Sequence, residues 1–153
     1  MMVAEAIQAE ELLSRFKDEL HVLEAQHLEG RRVLPVYHGV RPAYVGGRPT
    51  VRVKRDPERT YTAYYSIRLF ELWDDLLEEL VDHVEPDAKR PRGAKGRFEW
   101  YISKGILDQA DDCWRHRRNR WVHEGERPGA EVFAELLTRV RRFLADAQAR
   151  TRE

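Results

Sequence analysis

Side chains able to hold a phosphate or move a proton are packed most closely in one stretch of the chain. It reads Trp114-Arg115-His116-Arg117-Arg118-Asn119-Arg120-Trp121-Val122-His123-Glu124-Gly125. It contains four arginines, two histidines and one asparagine, set around two tryptophans. A guanidinium stays charged, and its planar fork binds two phosphate oxygens together. An imidazole titrates near neutrality and can take up or release a proton there. An asparagine amide can fix the tautomer or position of a nearby imidazole. These residue types therefore offer phosphate binding coupled to proton transfer.

A helix through this stretch sorts the side chains by angle. With Trp114 at zero, Leu107 and Trp121 fall within about 20° and Arg118 only about 40° away, inside the apolar sector. A guanidinium there needs shelter, which Trp114 and Trp121 could supply by stacking on it and covering its stem. Asp112, His116, Asn119 and His123 lie on the opposite, polar face, with Asn119 one turn before His123 and placed to orient it. Arg118 and His123 are about 140° apart on a straight helix. They meet if the helix distorts near its end, if Arg118 reaches around, or if two copies face each other across a two-fold axis. The bland alternative is a basic last turn favoured by the helix dipole.

Within the stretch lies Arg118-Asn119-x-x-x-His123. This resembles the signature of the HEPN family: an arginine, four to six residues, then a histidine, often with asparagine directly after the arginine. The resemblance implies a small all-α domain and a metal-independent endoribonuclease of toxin or antiviral-defence type, using no cofactor. It implies a homodimer with the two 114–123 helices around one cleft, and an antitoxin or other regulatory partner. On this reading Arg118, Asn119 and His123 are the catalytic residues. His123 is general base or acid, Arg118 the phosphate clamp and Asn119 the orienting group. Arg115, His116, Arg117 and Arg120 bind and steer the RNA. A 2′-hydroxyl attacks the adjacent phosphorus, leaving a 2′,3′-cyclic phosphate and a 5′-hydroxyl. Glu124-Gly125-Glu126 follows His123 where toxins silenced by nucleotidyltransferase antitoxins carry a tyrosine, so that form of control is not expected.

The rest of the chain must position this helix. At 153 residues, 42% of them hydrophobic, one domain spanning 1–153 is expected. Basic and acidic residues balance at 27 each, which excludes a protein that coats nucleic acid with its whole surface and confines any such site to a patch. The single cysteine, Cys113, excludes an intramolecular disulfide. The chain opens on acid, without a basic leader segment, and no apolar run approaches ~20 residues. A cytoplasmic protein with no membrane partner is the simplest reading.

The periodicity predicts an all-α four-helix bundle. Leu12, Leu13, Phe16, Leu20, Leu23 and His27 give a helix over 3–29, with Gly30 as its terminator. His21 and His27, six apart, share no face and read as surface or boundary residues. Residues 31–57, rich in Pro and Gly, form an insertion: an irregular arm or small hairpin, with 33–34 and 51–54 as strands beside Gly46-Gly47. Residues 58–84 form a helix apolar over much of its circumference, hence central. Its acidic side, Glu71, Asp74, Asp75, Glu78 and Glu79, reads as solvated. Residues 85–97 are a basic loop, expected to be exposed and flexible. A third helix over 98–124, interrupted near Gly105, ends at Gly125 and Pro128, and a fourth covers 129–150 with its arginines mostly outward.

Two rival functions remain. Glu71, Asp74, Asp75 and Glu78 on one helix, with Asp108, Asp111 and Asp112 on another, suggest the carboxylate clusters of metal-dependent all-α nucleotide pyrophosphohydrolases, though the Glu-x-x-Glu pairing is absent. A non-catalytic RNA-binding or scaffold protein with the same fold is the other. Metal-binding histidine or cysteine motifs, a glycine-rich phosphate loop and a nucleophilic serine on a turn are all missing.

Overall fold

The computed structural model describes residues 3–33, 44–45, 48–49 and 57–152, with side chains described over 8–32 and 59–152. Five helices carry the fold: α1 (Val3–Val33), α2 (Pro57–Val84), α3 (Ala94–Ser103), α4 (Asp112–His123) and α5 (Ala130–Thr151). Between α1 and α2, β1 (Tyr44–Val45) pairs antiparallel with β2 (Arg48–Pro49) across the Gly46-Gly47 position. The all-α bundle with a small hairpin is thus present. The pairing uses 44–45 and 48–49, whereas the expected strand at 51–54 lies outside the described residues.

α2 is the central helix, in contact with α1, α4 and α5. Its residues Leu69, Phe70, Trp73, Leu76 and Leu77 are almost fully buried. Leu13, Phe16 and Leu20 of α1 pack on it from one side, and Phe133, Leu136, Val140 and Leu144 of α5 belong to the same core. Phe98 of α3 stacks on Phe70, with ring centroids 5.2 Å apart.

The expected third helix is two helices. α3 stops at Ser103 because Gly105 takes a left-handed conformation, φ 73°. Ile106 N–H then returns to the Tyr101 carbonyl at 2.9 Å, a left-handed helix end that suits glycine. Residues 106–108 turn the chain before the 3₁₀ segment Gln109–Asp111 opens α4. Leu107 is buried but shares no helix with Trp114.

Gly30 does not end α1, which runs to Val33. Its missing side chain serves packing instead. A Cβ at Gly30 would stand 1.7 Å from the Tyr61 hydroxyl, which donates to the Gln26 carbonyl at 2.9 Å. His27 is likewise not a boundary residue. It is 5% exposed and enclosed by Tyr61, Tyr65 and Phe133, whose centroid lies 4.0 Å from its own.

Inside a helix, Gly→Ala ordinarily stabilises by ~1 kcal/mol. Gly30→Ala should instead destabilise, by about 1–3 kcal/mol, because Tyr61 must give way. The double variant with Tyr61→Leu should recover the ordinary sign, measured as a coupling in urea unfolding. Additive effects would show that the close approach carries no energy.

Candidate functional site

α4 is held at its start by a buried ion pair. Arg139 of α5 donates to both oxygens of Asp111, Nε–Oδ1 at 2.5 Å and Nη2–Oδ2 at 2.7 Å. Asp111 is 3% exposed, and the backbone N–H of Asp108 adds a third hydrogen bond at 2.9 Å. The Arg139 guanidinium also lies 5.6 Å from the Trp73 ring centroid. Arg139 is the exception to the mostly outward arginines of α5, because the Asp111 carboxylate just before α4 draws it inward.

From this anchor α4 runs regularly to His123. Trp114 and Trp121 are buried as the apolar stripe requires. The helix ends on the Glu124 N–H to Arg120 carbonyl bond at 3.0 Å, with Gly125 left-handed at φ 69°. The backbone shows no distortion before His123 that would swing it towards Arg118, and no hydrogen bond joins the two side chains among the described residues.

The four arginines of α4 have different surroundings. Arg115, expected on the RNA-facing side, is 5% exposed and doubly bonded to Asp112, at 2.9 and 3.2 Å. Those bonds, working against partial burial, hold the Asp112 carboxyl below its usual range. Arg117, not Arg118, lies over the Trp114 ring, 4.6 Å from its centroid, and reaches Glu135 at 3.5 Å. Arg120 is bound to Glu126 at 2.7 Å. Arg118 is half-buried, and among the described residues its one hydrogen bond is a long one, Nη1 to Asn119 Oδ1 at 3.5 Å. Its Nε is buried without a hydrogen-bond partner among the described residues.

The polar face is as the angles predict, but its contacts differ. His123 is exposed, and no hydrogen bond joins it to Asn119, whose amide oxygen faces Arg118 instead. His116 is the histidine held in place, with Nε2 3.2 Å from Asp112 Oδ2 and 3.1 Å from Arg115 Nη2. Its i,i+4 spacing from Asp112 was a readable signal for this pair.

Several carboxylates of α2 are engaged by arginines. Arg97 binds Asp74 at 2.6 Å and Glu78 at 2.9 Å, Arg90 binds Asp82 and the Glu78 carbonyl, and Arg15 binds Glu79. The acidic side of α2 is therefore partly covered, and Arg90 and Arg97 tie the basic segment to it; that segment is not a loop throughout, since α3 begins at Ala94. Among the described residues, no three His, Cys, Asp or Glu side chains come together as a metal-ligand set. No described helix is long and apolar enough to cross a membrane.

Two outcomes follow for stability. Removing one partner of a buried pair leaves the other uncompensated, so Arg139→Ala should cost about 3–5 kcal/mol in urea unfolding. A loss below ~1 kcal/mol would make the pair incidental. Asp112 ionises more readily folded than unfolded, so its contribution is complete above the unfolded value of about 3.9 and is lost as pH falls below it. The difference in urea midpoint between the native protein and Asp112→Asn should therefore be full at neutral pH and shrink in acid.

No protein-family model, curated protein or solved structure matches the chain, so the role of α4 is argued from its own residues and their geometry.

Proposed function

We propose that the protein is a metal-independent endoribonuclease of HEPN type, cleaving single-stranded RNA to 2′,3′-cyclic phosphate and 5′-hydroxyl ends. The observation that carries this reading is the state of Arg118. Arg115, Arg117 and Arg120 each have a carboxylate, and among the described residues Arg118 alone of the α4 arginines has none. A half-buried guanidinium with an unpartnered Nε is costly for stability. A phosphate would supply charged acceptors to its terminal nitrogens. Asn119 lies against it, and His123 stands free for proton transfer.

Arg118 and His123 are on different sides of one regular helix, so the active cleft is proposed to form between two copies of α4. Arg118 of one copy then clamps the phosphate on which His123 of the other acts. Toxin or defence activity and an antitoxin or regulatory partner belong to the same proposal.

The non-catalytic RNA-binding or scaffold reading is favoured by one observation: Asn119 does not hold His123, so the imidazole has no orienting partner among the described residues. Cleavage decides between them. Labelled RNA is incubated in excess chelator with native protein, His123→Ala, Arg118→Ala and Arg118→Lys, and the product ends are mapped. Native protein should cut, and His123→Ala should lose ~10²–10⁴ in rate while staying folded. Arg118→Lys keeps charge but loses the fork and should be strongly impaired. Intact RNA with native protein, or unimpaired His123→Ala, would leave the scaffold reading in its place.

The shared cleft has its own test. Mixing inactive Arg118→Ala with inactive His123→Ala should restore cleavage, because mixed dimers keep one complete cleft. Failure to complement in subunits shown to exchange would confine each cleft to one chain.

A further inference from the structure

The endoribonuclease reading gives His123 one proton transfer, but cleavage needs two: a base at the 2′-hydroxyl and an acid at the departing 5′-oxygen. We propose that His116 is the second proton-transfer residue, positioned by Asp112, acting as base while His123 acts as acid. This rests on the ribonuclease reading of α4.

The contacts of His116 carry the argument. Its Nε2 lies 3.1 Å from Arg115 Nη2, which can only donate, and 3.2 Å from Asp112 Oδ2, which when ionised can only accept. With its proton on Nε2 the ring donates to Asp112, which leaves Nδ1 bare to take a proton. The same Nε2–H contact to Asp112 then serves the imidazolium. The partners are themselves fixed, because Arg115 is buried and doubly bonded to Asp112. The His116 side chain is 59% exposed, so a substrate can approach the ring. An ordinary surface histidine has one loose partner and no buried arginine behind it.

Placement on α4 supports the pairing. Seven residues separate His116 from His123, which puts them within about 20° on one exposed face and about 10 Å apart along the axis. A phosphodiester with a hydrogen bond at each end spans a gap of this order. In the proposed step Nδ1 of His116 takes the 2′-hydroxyl proton as that oxygen bonds to phosphorus. The bond from phosphorus to the 5′-oxygen breaks, and that oxygen receives a proton from protonated His123. The gained and lost protons re-equilibrate through water, and the resulting imidazolium of His116 is stabilised by Asp112.

The test separates base from acid with two substrates: RNA, and uridine 3′-(4-nitrophenyl phosphate), whose leaving group departs without protonation. His116→Ala, confirmed folded by circular dichroism, should lose ~10²–10⁴ in kcat on both. His123→Ala should lose activity on RNA and regain it on the activated ester. Added imidazole should restore part of the His116→Ala activity, which a structural role would not allow. Asp112→Asn should lower kcat and leave KM unchanged. If His116→Ala cleaves both substrates as fast as native protein while His123→Ala fails on RNA, the inference falls and the ribonuclease reading stands. If native protein cleaves neither substrate in chelator, both fall together.

Discussion

The two-pronged pair between Asp111 and Arg139 is the constraint from which the placement of α4 follows. A carboxylate 3% exposed is tolerable only when its oxygens are satisfied, and here a guanidinium and the Asp108 N–H satisfy them. The pair joins the start of α4 to the middle of α5, and Trp73 of α2 lies beside the same guanidinium. With its start tied and Trp114 and Trp121 buried, α4 has little rotational freedom. Its polar residues then have fixed roles: Arg115 inward on Asp112, Arg118 half-buried, His116 and His123 outward.

Charge balance works locally as well as globally. Equal numbers of acidic and basic residues could be spread evenly over the surface. Instead arginines from α1, α3 and the loop before α3 reach carboxylates on α2. Exposed pairs of this kind add little stability, but the Arg97–Asp74 pair is about 16% exposed on each side and ties α3 to α2. Burial, then the charges of Asp74 and Glu78, push the phenol of Tyr101 beside this pair up to about 12. Of the four arginines on α4, Arg118 is the one without a carboxylate among the described residues.

The helical bundle, the central place of α2 and the terminating role of Gly125 were legible because apolar spacing and glycine chemistry are local properties. The polar face of α4 was legible for the same reason. Partnership was not. That Arg117 and not Arg118 lies over Trp114 depends on side-chain paths that a helical wheel does not contain. Arg115 sits about 100° from Trp114 on the wheel yet is buried, because α4 is packed by both α2 and α3. Gly30 looked like a stop and serves as a gap for Tyr61, a tertiary use that no window of sequence reveals. The acidic side of α2 read as solvated because Arg15 and Arg97, which reach Glu79, Asp74 and Glu78, belong to other helices.

The environment of Arg118 bears on strength as well as on availability. An exposed arginine meets a phosphate in water, where charge attraction is screened to a small residue. Arg118 has already lost part of its hydration, and among the described residues its Nε has no acceptor to give up. A phosphate arriving there would replace no ion pair among the described residues and would act in a lower effective dielectric. Moving the arginine fully into solvent would weaken that interaction, and pairing it with a carboxylate would neutralise it. A regular α4, held at its start and buried along one stripe, avoids both.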